Sequence, residues 1–533
     1  MSGVDRLRLP DLIAWRAEAT PDALFAVDEL DRALSFSTYH ALCGEVAEAF
    51  AAQGVVAGDA VAWMLPTWLE AYVVAGALAR IGAVQVPLVP ILREREVEFI
   101  LRRAGAVRLI VPGAWRAFDY PAFARGICER TGLVSPTIVE RAPTASALLA
   151  SLRRAPRAET ASPPTRPAPR PDGGCDRDER IDDDVPCRWI FFTSGTTADP
   201  KGVRHADRTV AAAARRLNDR FAMTPADRNA LVFPVTHIGG ISWLMGGLMA
   251  GYAQILVERF EPDEACAVLA RHGVTIAGSG PAFWMAYVAA QQRRGGTRLF
   301  ARLRALVGGG AAKPPTLEAQ VRAVLGVPLV TGYGSTECPG VAHNGVADDA
   351  ETLRSDGHAL ADAELRIVGP DGAARGPGEE GEIVARGPMR FLGYLDPRDD
   401  AAALDAAGWF HTGDLGALDA RGRLHVTGRL KDIIIRKGEN ISAKEVEDVL
   451  FYHPAIVDVA AIALPDRERG ELCCAVVVAA AGSAAPDLEA IRAHCVARGL
   501  ARQKIPERLE VVDRLPRNAV GKVMKRELVT RYG

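Results

Sequence analysis

Between residues 38 and 111, stretches with helical and with strand character take turns, and this alternation constrains the fold more than any other feature. Residues 38–53 have the spacing of an amphipathic helix and are closed by Gly54; 60–65 read as a buried strand. A helix over 68–80, a strand over 83–88, a helix over 96–103 and a strand over 107–111 follow. Parallel neighbours need a crossover, and helical crossovers cover the sheet on both faces, so the fold class is α/β. After Trp189 the pattern resumes, with strands predicted at 230–233, 275–277 and 305–307. From 364 to 415 short strands and turns dominate, which predicts a small β-rich lobe. From about Lys431 a compact α+β pattern begins, with helices at 444–451 and 488–498 and strands at 457–463 and 474–478. The predicted organisation is a large multi-lobed N-terminal domain with parallel sheets over 1–430 and a small mobile C-terminal domain over 431–533.

The 533 residues allow several cores, and the net charge of −2 gives no reason to expect nucleic acid or an acidic membrane as the main partner. Nine cysteines without a C-x-x-C pattern indicate free thiols in a reducing cytoplasm. The N-terminus lacks the layout of a secretory signal. Residues 238–257 carry no charge and are long enough for a membrane span, but they hold five glycines. They read instead as a buried helix, a turn near Gly251 and a strand over 254–257. Residues 153–184 are rich in Pro, Arg, Asp and Ala and are expected to form a mobile surface loop.

The segment Phe192-Thr193-Ser194-Gly195-Thr196-Thr197-Ala198-Asp199-Pro200-Lys201-Gly202 carries the clearest chemistry. Small and hydroxyl residues let the backbone approach an anion, and Lys201 adds a mobile positive charge. In the ordinary nucleoside-triphosphate loop the lysine precedes a Ser or Thr that holds magnesium. Here Gly202 follows Lys201, which argues against a kinase or ATPase of that type.

Four further clusters have chemical character. Thr331-Gly332-Tyr333-Gly334-Ser335-Thr336-Glu337 joins a ring that can stack on a base to a carboxylate able to hold Mg²⁺ beside phosphates. Gly408-Trp409-Phe410-His411-Thr412-Gly413-Asp414 is read as ending a strand with an acid suited to hydroxyls. Gly428-Arg429-Leu430-Lys431-Asp432 connects the large part to the last lobe, and Pro516-Arg517-Asn518-Ala519-Val520-Gly521-Lys522 is a turn carrying a lysine. Singly, each has a plainer reading: Tyr333 as core, Asp414 as a turn cap, Arg429 and Lys522 as solvated charges.

Together and in this order, the clusters resemble the adenylate-forming superfamily of acyl-CoA synthetases, luciferases and peptide-synthetase adenylation domains, over about residues 10 to 530. Residues 81–96 and 431–442 resemble the branch that activates cyclohexanecarboxylate and short- to medium-chain fatty acids. The resemblance implies ATP, Mg²⁺ and coenzyme A, a two-step reaction through an acyl-adenylate, and a C-terminal domain that rotates between the steps. It leaves room for a homodimer.

Carried over by resemblance, Thr193, Ser194, Gly195, Thr196, Thr197 and Lys201 would cradle the β- and γ-phosphates, and Thr336 would contact the α-phosphate. Glu337 would hold Mg²⁺. Tyr333 would stack on adenine beside Gly334, facing a wall of Gly309, Gly310 and Ala311. Asp414 and Arg429 would bind the ribose. Lys522 would bridge the substrate carboxylate and the ATP oxygens. His237 would stand as a gate beside the acyl carboxylate, Lys431 would sit at the hinge, and Gly438 would line the pantetheine tunnel. The acyl pocket is expected within 237–247 and 280–284, with Gly239, Gly240, Gly246 and Gly247 leaving space and Trp243 and Trp284 limiting it. That favours a medium-chain fatty or alicyclic acid. Two alternatives stay open: an acyl-AMP ligase that loads a carrier protein, and a non-catalytic nucleotide-binding regulator.

Overall fold

The computed structural model describes residues 8–142, 147, 186–193, 200–437, 439–480, 482–518 and 521–533. The expected loop at 153–184 lies outside them, as do Ser194, Gly195, Thr196, Thr197 and Gly438.

Two large sheets form the body. The six-stranded one runs, in spatial order, Lys201–His205, Trp189–Thr193, Val84–Pro87, Ala60–Trp63, Ala106–Pro112, Thr137–Val139. It is parallel except for the antiparallel pair Trp189–Thr193 and Lys201–His205. The helices Leu69–Ile81 and Glu94–Ala104 are its crossovers, each ending in a glycine, Gly82 or Gly105, in the left-handed conformation. Leu69–Ile81 is buried nearly all round because it is sandwiched between layers, which is why its sequence is apolar on every face.

The nine-stranded sheet has a parallel centre. Leu329–Tyr333, Ala305–Gly309, Ile276–Ser279, Arg228–Leu231, Ala253–Leu256 and Leu24–Asp28 lie side by side in that order. The short strands Ala342–His343 and His358–Ala359 close one edge, and Ala33–Ser35 the other. One continuous core joins both sheets, with Trp63, Trp189 and Trp284 fully buried in it. The uncharged stretch after His237 forms the helix Ile238–Ala250, the turn at Gly251 and the strand Ala253–Leu256, as the sequence indicates. Among the described residues, no helix is long and apolar enough to cross a membrane.

The β-rich lobe is a four-stranded antiparallel sheet of Glu364–Val368, Gly381–Arg386, Phe410–Leu418 and Leu424–Arg429. A short 3-10 turn, Leu430–Asp432, leads into the last unit. There Ile456–Asp466 and Gly470–Ala479 pair along most of their length, with Ile433–Arg436, Glu439–Ser442 and Arg508–Val511 completing the sheet. Helices Ala443–Leu450 and Leu488–Ala497 contribute to its core.

Candidate active site

Open α/β sheets bind ligands in the crevice outside the carboxyl ends of their strands. Ala305–Gly309 and Leu329–Tyr333 end side by side, with Gly309 paired to Gly332. Only glycine fits there. A Cβ on Gly309 would lie 2.5 Å from Gly332 O, and Gly310 has φ +79°. Ala311 follows, half-buried. A Cβ on Gly334 would meet Gly340 N at 2.5 Å, so the turn after Tyr333 is equally tight.

Tyr333 ends its strand with its hydroxyl donating to Asp414 Oδ2 at 2.7 Å. Arg429 Nε stands 2.6 Å from Asp414 Oδ1, because Asp414 and Arg429 are register partners across two strands. Burial, with the Asp414 charge, pushes the Tyr333 phenol far above its ordinary range, so it stays a neutral donor. Asp414 is buried in the middle of Phe410–Leu418 rather than at a strand end, which corrects the sequence reading. Pairing on both sides, with Gly381–Arg386 and Leu424–Arg429, carries the strand through to Leu418.

Thr193 and Lys201 are register partners at the mouth of their hairpin. The Lys201 ammonium lies 2.9 Å from Asp399 Oδ1 and 5.0 Å from the centre of the Tyr394 ring. The Tyr394 hydroxyl donates to Glu337 Oε1 at 2.9 Å, so one tyrosine touches both the loop lysine and the candidate metal carboxylate. Sequence reasoning missed Tyr394 and Asp399. They lie some 200 residues from Lys201, and nothing local in their turn marks them.

Behind this group, His205 Nε2 donates to Thr336 O at 2.7 Å while Nδ1 lies 2.8 Å from Thr209 Oγ1. Burial lowers the His205 imidazole to about 4, so it is neutral, and the acceptor at Thr336 places its proton on Nε2. The hairpin is thereby tied to the segment carrying Thr336 and Glu337. Glu337 O also accepts from Phe391 N at 2.7 Å. Mg²⁺ is ordinarily held by one or two carboxylates together with substrate phosphates and waters. Glu337 alone on the protein side fits that pattern, and no group of three or more metal-ligating side chains exists among the described residues.

His237 caps the helix Ile238–Ala250, its Nδ1 accepting from Gly239 N at 3.2 Å, with its ring edge-on to Phe233. Burial lowers it to about 4, so near neutral pH it is an uncharged ring with its proton on Nε2. Of the glycines expected to open an acyl pocket, three serve packing. A Cβ on Gly240 would strike Val235 O at 2.5 Å, one on Gly246 the Tyr252 hydroxyl at 2.5 Å, and one on Gly247 Gln254 Nε2 at 3.0 Å. Trp243 stacks on Phe221 with ring centroids 5.8 Å apart. Trp284 is fully buried, and its indole donates to Val307 O at 3.2 Å beneath Gly308.

The lysine turn of the last unit comes to this crevice. A Cβ on Gly521 would lie 3.6 Å from Phe283 Cε2 and 3.7 Å from Ala282 Cβ, at the start of the helix Pro281–Arg294. The turn is braced by Asn518, whose Oδ1 accepts from Lys522 N at 2.9 Å. Burial and the nearby Arg429 lower the Lys522 ammonium to about 8, while Asp414 opposes them. Lys431, in the 3-10 turn, is lowered too, by burial and by Arg429. Tyr333, Asp414, Arg429, Lys431 and Lys522 are thus gathered in one place, and Lys201 with Glu337 in another reached through Tyr394.

Residues 13–395 match the AMP-binding enzyme family, and residues 445–522 match the AMP-binding enzyme C-terminal domain. The chain belongs to the AMP-binding enzyme family. It is 31% identical over 524 residues to the medium-chain fatty-acid–CoA ligase of Escherichia coli, covering 97% of this chain and 89% of that one. It is 32% identical over 541 residues to the salicyl-AMP ligase / salicyl-S-ArCP synthetase of Mycobacterium tuberculosis, covering 98% and 91%. The crystal structure of ATP-bound MatB from Rhodopseudomonas palustris superposes with a TM-score of 0.83 at 27% identity, covering 99% of both chains. The superfamily resemblance and the two-part α/β fold read from the sequence are therefore borne out.

Proposed function

We propose that the protein is an ATP-dependent acid–CoA ligase. A carboxylate attacks the α-phosphorus of ATP and expels pyrophosphate; the CoA thiol then attacks the acyl-adenylate and releases AMP. A carboxylate is a poor electrophile, and joining it to AMP supplies a stabilised leaving group. Catalysis rests on positioning and charge placement. Tyr333 and the Gly309–Gly310–Ala311 wall hold adenine, with Gly334 turning the chain beside them; Asp414, fixed by Arg429, accepts from the ribose hydroxyls. Thr193, Lys201 and Thr336 attend the phosphates, together with Ser194, Gly195, Thr196 and Thr197. Glu337 would hold Mg²⁺, which when bound neutralises phosphate charge. Neutral His237 stands beside the acyl carboxylate without adding charge. Lys522, a compact ammonium, follows charge as it moves from carboxylate to phosphate.

We assign 1–430 to the nucleotide- and acid-binding domain and 431–533 to a domain that swivels at Lys431 between the half-reactions, bringing Gly438 to the thiol tunnel. The single observation that carries the reading is the seating of the Lys522 turn on Ala282 and Phe283, within electrostatic reach of Asp414 and Arg429. It is the arrangement the first half-reaction requires. The acid is a medium-chain fatty or alicyclic one; the similarity to a medium-chain fatty-acid–CoA ligase supports that class.

A second reading, transfer of the acyl group to a carrier protein, is favoured by the similarity to a salicyl-AMP ligase / salicyl-S-ArCP synthetase. A pyrophosphate-release screen over linear, cyclic and aromatic acids tests both, run with CoA and with acyl carrier protein as acceptor. Turnover to acyl-CoA with a medium-chain or alicyclic acid supports the first. Thioester on the carrier alone establishes the second, and no pyrophosphate with any acid refutes both.

A further inference from the structure

The chain leaves the β-rich lobe along Leu424–Arg429, the outermost strand of its sheet, and enters the last unit through the 3-10 turn Leu430–Asp432. It runs out along Ile433–Arg436 and back along Glu439–Ser442, which returns Ser442 to the side of Ile433, its register partner. There Ser442 caps the helix Ala443–Leu450, its Oγ accepting from Glu445 N at 3.3 Å. A hydroxyl has one proton to give besides its acceptor sites, and capping does not use it. Ser442 gives that proton to Thr427 O at 2.7 Å, across 15 residues of chain and across the turn that carries Lys431.

The acceptor sits at an irregular point of its strand. Leu415 pairs with Gly428 and Gly416 with Val426, so Thr427 is the extra residue of a β-bulge, skipped by the ladder. Its hydroxyl donates to Glu380 within the lobe, while its carbonyl accepts from the last unit. Gly428 allows the approach: a Cβ there would lie 3.1 Å from Ser442 Oγ, so the hydroxyl would have to shift. Arg429, the partner of Asp414, follows on the same strand. The last unit therefore touches the body at this bond as well as where the Lys522 turn meets Ala282 and Phe283.

We propose, resting on the swivel at Lys431 assigned above, that Ser442 is a positioning residue: its bond to Thr427 is a latch that holds the last unit with Lys522 seated at the crevice. Everything after Lys431 turns with the last unit while Thr427 stays with the lobe, so turning separates donor from acceptor. A neutral hydrogen bond contributes little net energy, and its loss shifts an equilibrium by about two- to tenfold. That is strong enough to bias two orientations and weak enough to break in every turnover.

The test uses the full-length protein. Ser442→Asp keeps an acceptor for the helix cap but, ionised, has no proton for Thr427 O, whereas Ser442→Thr keeps both. One readout sets acid-dependent pyrophosphate exchange with octanoate against thioester formation from supplied octanoyl-AMP and CoA. The other needs no acid: the distance between nitroxide labels on Val56→Cys and Val496→Cys, both exposed positions, with α,β-methylene-ATP and then with AMP and CoA. The proposal expects Ser442→Asp to lower exchange by roughly threefold or more, to leave thioester formation equal or faster, and to deplete the distance that dominates the wild type with the ATP analogue. Ser442→Thr is expected to match the wild type within about twofold. A merely structural role slows both half-reactions together, and that result overturns the proposal. So does a distance distribution in Ser442→Asp that equals a two-population wild type. One wild-type distance under both ligand conditions overturns the swivel, and the latch with it. Should Ser442→Asp fail to fold, Gly428→Ala carries the test from the other side with the cap residue intact: a loss confined to exchange, of about twofold or more, is expected, and equal loss in both halves overturns the latch.

Discussion

Replacing Asp414 by alanine removes two interactions at once. The Tyr333 hydroxyl loses a charged acceptor at 2.7 Å, and Arg429 loses its partner at 2.6 Å. A hydrogen bond to a charged group contributes about 1.5–3 kcal/mol. The Arg429 side chain is 33% exposed, so its ion pair is discounted to about 0.2–1 kcal/mol. Together the substitution is expected to destabilise the folded chain by about 2–4 kcal/mol. The effect on ATP is separable. If the carboxylate accepts a ribose hydroxyl, its loss weakens nucleotide binding by about 1.5–3 kcal/mol, or roughly ten- to a hundredfold. Urea unfolding gives the first quantity; the KM for ATP in acid-dependent pyrophosphate exchange gives the second. Asp414→Asn keeps the shape and an acceptor for Tyr333 but loses the charge, so it is expected to recover most of the stability and little of the ATP affinity. An unchanged KM for ATP in Asp414→Ala would refute the ribose assignment, whatever happened to stability.

Three further outcomes follow from the packing and charges. Lys522 acts as an ammonium and is lowered to about 8 in the free enzyme. So kcat/KM for adenylation is expected to fall as pH rises through about 8, while kcat falls only at higher pH, because bound ATP favours the charged form; a flat kcat/KM up to pH 9.5 contradicts this. Gly308 has φ +147°, and a Cβ there would lie 2.1 Å from Ser279 O and 2.9 Å from Trp284 Cζ2, so Gly308→Ala is expected to cost on the order of 3 kcal/mol or more in urea unfolding. Lys313 donates to Thr331 Oγ1, Leu353 O and Ser355 O at 2.9, 2.7 and 3.2 Å, clamping the strand that ends in Tyr333. Lys313→Met is expected to lower stability by about 2–4 kcal/mol and to raise the KM for ATP; wild-type values for both would remove its positioning role.

What could be read in the sequence was what local chemistry encodes. Strand and helix alternation located the crossovers Leu69–Ile81 and Glu94–Ala104 to within about two residues, since their glycine closures are local signals. The helix, turn and strand after His237 were equally visible, whereas the antiparallel pairing of Trp189–Thr193 with Lys201–His205 was not read from the sequence. The strands Leu24–Asp28 and Ala33–Ser35 were not. Both are short, and the parallel neighbour of Leu24–Asp28, Ala253–Leu256, lies more than two hundred residues away, so no local period announces them. Gly240, Gly246 and Gly247 show the opposite failure: a glycine in sequence marks either open space or a close neighbour, and only Val235, Tyr252 and Gln254 decide which. Asp414 was found by type but misplaced on its strand, because cross-strand pairing extends the strand past it. Tyr394, the link between Lys201 and Glu337, is a tertiary contact with no sequence signal.

The measurement that bears most directly on the central claim separates the two half-reactions in Lys522→Ala. The account predicts that acyl-adenylate formation, followed as pyrophosphate exchange, is strongly depressed, whereas thioester formation from supplied acyl-AMP and CoA proceeds at close to the wild-type rate. Equal loss in both halves, or adenylate formation at the wild-type rate, contradicts it.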